Sequence, residues 1–218
     1  MADSVLAPTS AAAAIAAPRH SALVRVTHWV TTVAFLALLV TGVEILISHP
    51  RFYWGETGNV NTAPLFRIPI PASRPTVPTG YGYVLPDQNG WSRYLHFQSA
   101  WAAVLTGLVY VVFGFISGHF RRNLIEPGEV AYNPIQRLTY LLVVFFLFPM
   151  VIWTGLAMSP AIASAFPWSV TMLGGQQSAR TLHFFDTVLL VLFLLVHVVK
   201  VYFAGFRKRV GAMIVGGR

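Results

Sequence analysis

Residues 180–200 read RTLHFFDTVLLVLFLLVHVVK. The run is apolar and long enough to cross a bilayer, which takes about 20 helical residues. It carries a histidine near each end, His183 and His197, and a cation one turn outside each, Arg180 and Lys200. Fourteen residues separate the two histidines. On a helix they lie about 21 Å apart and within about 40° of one face. One helix thus presents two imidazoles on one side at opposite membrane depths.

The rest of the chain fits a membrane setting. Of 218 residues, 56% are hydrophobic and only 10% charged, and the mean hydropathy is +0.63. A soluble domain usually carries about 25% charged residues. Four segments are long enough to span: 23–47, 94–117, 134–158 and 179–203. Each must be a helix, because the bilayer offers no water to backbone groups. The expected fold is all-α, an integral membrane four-helix bundle over 21–207, with a long external loop at 48–93 between helices 1 and 2. Residues 1–20 read as a disordered tail and 208–218 as a basic tail. The net charge of +8 is explained by loop lysines and arginines rather than by nucleic acid as partner. The absence of cysteine excludes disulfides, thiolate-held iron–sulfur clusters and covalent haem attachment.

Ten of the fifteen Lys and Arg residues fall on the side of the two chain ends, including Arg121, Arg122 and the FRKR run at 206–209. That bias places both termini in the cytoplasm and the long loop outside, which is the periplasm if the source is Gram-negative, with the chain in the inner (cytoplasmic) membrane.

Four of the seven histidines lie inside spans, and by depth they form two pairs. His28 near the start of helix 1 matches His197 on the inner side. His96 near the start of helix 2 matches His183 on the outer side. A low-spin haem b needs two axial ligands, and neutral imidazole serves well. Two haem b groups stacked across the bilayer account for the arrangement. Each histidine also has a cation one turn nearer water: Arg25, Arg93, Arg180 and Lys200. These suit haem propionates through charge-assisted hydrogen bonds, and they equally suit anchoring at the membrane interface. His20, His49 and His119 sit at or beyond span ends.

At VRVTHWV, RYLHFQSAW and LHFFDTVLLVLFLLVHVVK the chain resembles the bacterial dihaem cytochrome b family. That family groups cytochrome b561, the b-type cytochrome of nickel–iron hydrogenases and the gamma subunit of formate dehydrogenase. The resemblance covers about residues 19–207. It implies one ligand on helix 1, one on helix 2, two on helix 4 and none on helix 3, which matches His28, His96, His183 and His197. It also implies the pairing His28 with His197 and His96 with His183. In quinone-linked members an Asn/Gln-bearing segment at the start of helix 3 lies near the inner haem. YNPIQRLTY is similar to it, so Asn133 and Gln136 are candidate quinone contacts, although Asn133-Pro134 is also a strong helix start.

Three Thr-Gly pairs recur, at 41–42, 106–107 and 154–155. Small residues let helices or a flat porphyrin approach closely. Gly42 and Gly155 fall in the outer half and are candidates to face the outer haem. Asp186 and Glu44 are intramembrane carboxylates, costly and often functional. A plain interhelical hydrogen bond explains Asp186 equally well.

The expected function is electron transfer between an external redox subunit docked on 48–93, a molybdenum enzyme or a hydrogenase, and the quinone pool. The chain is then an electron-transfer subunit whose substrate chemistry resides in the partner. The rivals are a stand-alone quinone oxidoreductase fed by a small external reductant, and a haemless membrane anchor.

Overall fold

A computed structural model describes residues 21–59, 61–69, 88–121 and 134–216. The tail 1–20, residues 70–87 of the long loop, the segment 122–133 with Asn133, and the last two residues lie outside the described residues.

Four helices are long and apolar enough to cross a membrane: Ala22–Ser48, Gly90–Ile116, Ile135–Ala157 and Gln176–Phe203. The first is helix α1, Ala22–Ser48, opened by Ser21, whose hydroxyl accepts from the Val24 N–H at 3.3 Å. Its buried hydroxyls return to their own helix. Thr27 donates to Leu23 O at 2.9 Å and Ser48 to Glu44 O at 3.2 Å. These hydroxyls are thereby satisfied within the helix. Outward-facing Leu36, Leu105, Leu189 and Leu192 are exposed, as lipid-facing side chains should be.

A short antiparallel pair follows α1: β1, Arg51–Phe52, and β2, Phe66–Arg67. The long loop therefore opens with a hairpin rather than irregular chain. Helix α2, Gln88–Ile116, returns through the membrane against α1.

The third span is composite. Helix α3, Pro134–Leu142, passes into a π-helical turn, Val143–Leu147, and then into α4, Phe148–Ala157. Pro149 supplies the cause. It has no N–H, and its ring would clash with the Phe145 carbonyl in a regular α-helix. Widening the preceding turn removes that clash. Two small helices, α5 (Pro160–Ala165) and α6 (Trp168–Thr171), cover the same end of the molecule as the hairpin.

Helix α7, Gln176–Phe203, is the fourth span and packs along α4 and the π turn. Leu190 is buried there with Val143 and Leu147. Gly205 takes a left-handed conformation and turns the chain into α8, Phe206–Val215. Most of the region read as a tail is thus a helix folded back on α1. Trp29 Nε1 donates to Met213 O and Arg25 Nη1 to Ile214 O, each at 3.0 Å. These bonds satisfy carbonyls that the end of a helix leaves open.

The hairpin and α5–α6 mark one end of the bundle, the loop side. The chain terminus and α8 mark the other, the tail side.

Candidate functional site

Two histidine pairs face each other inside the bundle, one at each end. On the loop side, His96 of α2 and His183 of α7 have ring centroids 6.4 Å apart, at 64° between planes. On the tail side, His28 of α1 and His197 of α7 are also 6.4 Å apart, at 49°. Helix α7 contributes one ring to each.

The separation has a chemical meaning. A metal–imidazole bond is about 2 Å, and the ring centre lies about 1.1 Å behind the nitrogen, so two rings sharing one metal stand about 6.2 Å apart. Both gaps suit that. Among the described residues no group of three His, Asp or Glu side chains could hold a bare metal ion. Two facing imidazoles with no third protein ligand suit a metal that brings its own equatorial ligands, as iron in a porphyrin does.

The loop-side rings are held by two buried threonines. Thr41 Oγ1 lies 2.9 Å from His96 Nδ1, and Thr154 Oγ1 lies 3.0 Å from His183 Nδ1. Each hydroxyl has one hydrogen. Thr41 donates it to Ala37 O at 2.7 Å and Thr154 to Met150 O at 2.8 Å. With its hydrogen so placed, each oxygen accepts toward the imidazole, which suits a proton on Nδ1 and a free lone pair on Nε2. Both rings then suit the role of neutral ligands donating through Nε2.

The neighbouring glycines lie beside the same rings. A Cβ on Gly42 would sit 3.6 Å from His96 Cε1, and one on Gly155 would sit 3.4 Å from His183 Cε1. Gly107, in the third Thr-Gly pair, meets nothing within 4 Å.

Of the four flanking cations, two converge and two do not. Arg180 donates to the His49 carbonyl, and Arg93 Nη2 is 3.3 Å from His49 Nε2. Arg180 also lies over the Phe52 ring, 5.0 Å from its centroid. Neither arginine has a carboxylate partner among the described residues. His49 stands just beyond α1, and burial, then the charges of Arg180 and Arg93, hold its pKa below 6.5. On the tail side, Arg25 is spent on the end of α8, and Lys200 lies exposed in the last turn of α7.

The hairpin closes the loop side. Gly55 O accepts from the N–H groups of Gln177 and Ser178, at 3.0 and 3.2 Å, at the open start of α7. Gly55 N–H donates to Ser178 Oγ at 2.7 Å, Thr181 Oγ1 to Tyr53 O at 2.7 Å, and the Gln176 N–H to Glu56 Oε2 at 3.1 Å. Phe52 and Phe66 stack at 4.6 Å and 8°, and Phe52 meets Phe184, the neighbour of His183, at 4.6 Å. Such ring pairs contribute roughly 0.5–1.5 kcal/mol each beyond area burial.

On the tail side, Phe193 stacks on His197 at 5.8 Å and Trp29 meets His28 edge-on at 5.3 Å. The hydroxyls of Tyr110 and Tyr140 are hydrogen-bonded, and the His119 ring is 6.1 Å from that of Tyr110. Tyr110, Tyr140, His28 and His197 each lie six residues inside a helix end, about 9 Å deep along the helix. Gln136 is exposed on the first turn of α3. Asp186 is buried, and its Oδ2 has no hydrogen-bond partner among the described residues. Glu44 Oε2 is likewise buried without one.

Sequence reasoning missed Thr41, Thr154 and His49. The repeated Thr-Gly pair was the available signal, but it was read for its glycine and not for its hydroxyl.

A candidate protein-methionine-sulfoxide reductase subunit, YedZ1 of Azospira oryzae, is 27% identical over 202 residues, covering 84% of this chain and 89% of that one. No solved structure matches the chain with significance. The family model for prokaryotic cytochrome b561 matches residues 19–216. That match covers nearly the whole length, takes in all four spans and both histidine pairs, and implies b-type haem. The chain belongs to the prokaryotic cytochrome b561 family, the multi-pass membrane b-type cytochromes of electron transfer.

Proposed function

We propose that this cytochrome holds two haem b groups, one between His96 and His183 and one between His28 and His197. It carries electrons across the inner membrane between the quinone pool and an external redox subunit, with both termini cytoplasmic. The observation that carries this reading is the pair of facing imidazoles at each end of the bundle, both at 6.4 Å. The haems, when bound, supply reversible one-electron transfer.

The chain supplies the rest. Thr41 and Thr154 orient the loop-side ligands. Gly42 and Gly155 leave room for a flat macrocycle against those ligands. Arg93 and Arg180, both in contact with His49, form a cationic rim suited to propionates on the loop side. The hairpin and Phe52, Phe66 and Phe184 keep water from that end.

Quinone chemistry belongs to the tail side. A quinol oxidised there gives up two electrons and two protons. His119 and the hydroxyl pair of Tyr110 and Tyr140 lie near the depth of the His28–His197 pair and suit the proton transfers. Gln136, with Asn133, suits hydrogen bonding to a quinone carbonyl. The likeness to a reductase subunit supports a soluble reductase as the external partner, so electrons run from quinol outward.

A reduced-minus-oxidised spectrum of the purified protein, followed by addition of a quinol analogue, tests this reading. We expect b-type bands that develop on quinol addition. A haem-free protein, or haems that quinol leaves oxidised, would refute it.

A further inference from the structure

We infer that the β1–β2 hairpin is the docking site for the external redox partner, and that the partner presents an acidic surface to it. This rests on the reading of the chain as an electron carrier with such a partner. The two strands place Arg51 directly opposite Arg67 and Phe52 opposite Phe66. Successive strand residues point to opposite faces, so the hairpin is a plate with two chemistries. Its aromatic face lies on Phe184. Its other face carries Arg51 and Arg67.

Like charges directly opposite in a ladder are destabilising, and this ladder is only two residues long. The stacked rings and the bonds from Gly55 and Tyr53 to α7 hold it in place despite that opposition. The two arginines line a cleft of about 490 Å³ together with Asn61, Thr62, Ala63 and Pro64. Leu65, next along the chain, is 60% exposed, and Trp54 is 59% exposed. Two cations, open polar lining and neighbouring apolar side chains suit the acidic rim of a small electron-transfer protein.

The plate also supplies a short route inward. Phe66 and Phe52 both touch Phe184, which adjoins His183 in sequence. An acidic protein seated on Arg51 and Arg67 stands one aromatic layer from the loop-side ligand. A protein partner is favoured over lipid headgroups because the two arginines lie on the hairpin face turned away from Phe184 and share a cleft with the polar Asn61 and Thr62.

The test uses the holoprotein in nanodiscs. The soluble probes are flavodoxin, an acidic electron carrier, and a basic cytochrome c, and binding is measured at low and physiological salt. We expect flavodoxin binding to weaken about tenfold between about 20 and 200 mM salt. In the double variant Arg51→Glu with Arg67→Glu, we expect a further loss of about tenfold for flavodoxin and a gain for cytochrome c. The variant keeps two like charges opposite each other. A neutral pair, Arg51→Gln with Arg67→Gln, guards against misfolding and should give an intermediate loss. Flavodoxin binding that ignores salt, or that both variants leave unchanged, overturns the assignment. So does an effect that vanishes when anionic lipid is left out of the nanodisc, since the arginines would then serve lipid. Failure of the underlying reading shows separately, as a protein without haem bands.

Discussion

Thr154 Oγ1 stands 3.0 Å from Nδ1 of His183 while giving its own hydrogen to Met150 O. That pair of contacts turns Nδ1 of the His183 ring toward the threonine. Thr41 makes the same arrangement on the other ring. An acceptor at Nδ1–H makes the ring a more electron-rich ligand and favours ferric iron. Thr154→Val keeps the shape and removes the acceptor. A neutral hydrogen bond contributes about 1 kcal/mol, so the loop-side haem potential should rise by up to about 40 mV. The tail-side haem should stay where it was. A two-component redox titration reads both, and two unmoved potentials would show that the hydroxyl does not tune its ligand.

Gly155 lies against the His183 ring, where a Cβ would already be in contact at 3.4 Å. Gly155→Val puts a branched side chain there. The loop-side haem should be lost or bound weakly, taking the haem-to-chain ratio from two toward one, while helical content is unchanged by circular dichroism. A full haem complement in this variant would mean that the glycine serves helix packing alone.

His49 sits between two arginines, and burial together with their charges keeps it neutral in the folded state. Its folded pKa is below the ordinary 6.5, so the unfolded chain binds more protons in the window beneath that value. Stability from this group is present above pH 6.5 and is lost as pH falls through the folded pKa. The melting temperature should therefore drop between pH 7 and pH 5 by more in the wild type than in His49→Gln. Parallel pH profiles would remove His49 from the account.

Gly175 opens α7 with φ +113°, and a Cβ there would come within 2.5 Å of the Gly55 backbone. Gly175→Ala should cost roughly 1–3 kcal/mol through backbone strain, plus the displacement of the hairpin. Limited proteolysis should then cut within 50–69 at concentrations of protease that leave the wild type intact. Equal resistance would show the hairpin to be held independently of this contact.

The spans and the depths of His28, His96, His183 and His197 were legible because both depend on spacing along single helices, which a sequence displays directly. The π turn was written in Pro149, but its packing against Leu190 was not. The hairpin was hidden because two strands of two residues leave no period to read, and their placement comes from contacts with α7 more than 100 positions away. Arg25 looked like the other flanking cations in sequence. Only the return of α8 shows that its guanidinium meets Ile214 O. The threonines were hidden for a similar reason, since a helical hydroxyl ordinarily satisfies itself on the carbonyl one turn back, and its second partner is on another helix.

The central claim is that each facing pair of histidines holds one haem. The most direct measurement is the haem-to-chain ratio in the wild type, His183→Ala and His197→Ala, with the spectrum of whatever haem remains. We expect two haems in the wild type and one in each variant, the two survivors differing in potential. A single haem in the wild type, or the same surviving haem in both variants, would contradict the assignment.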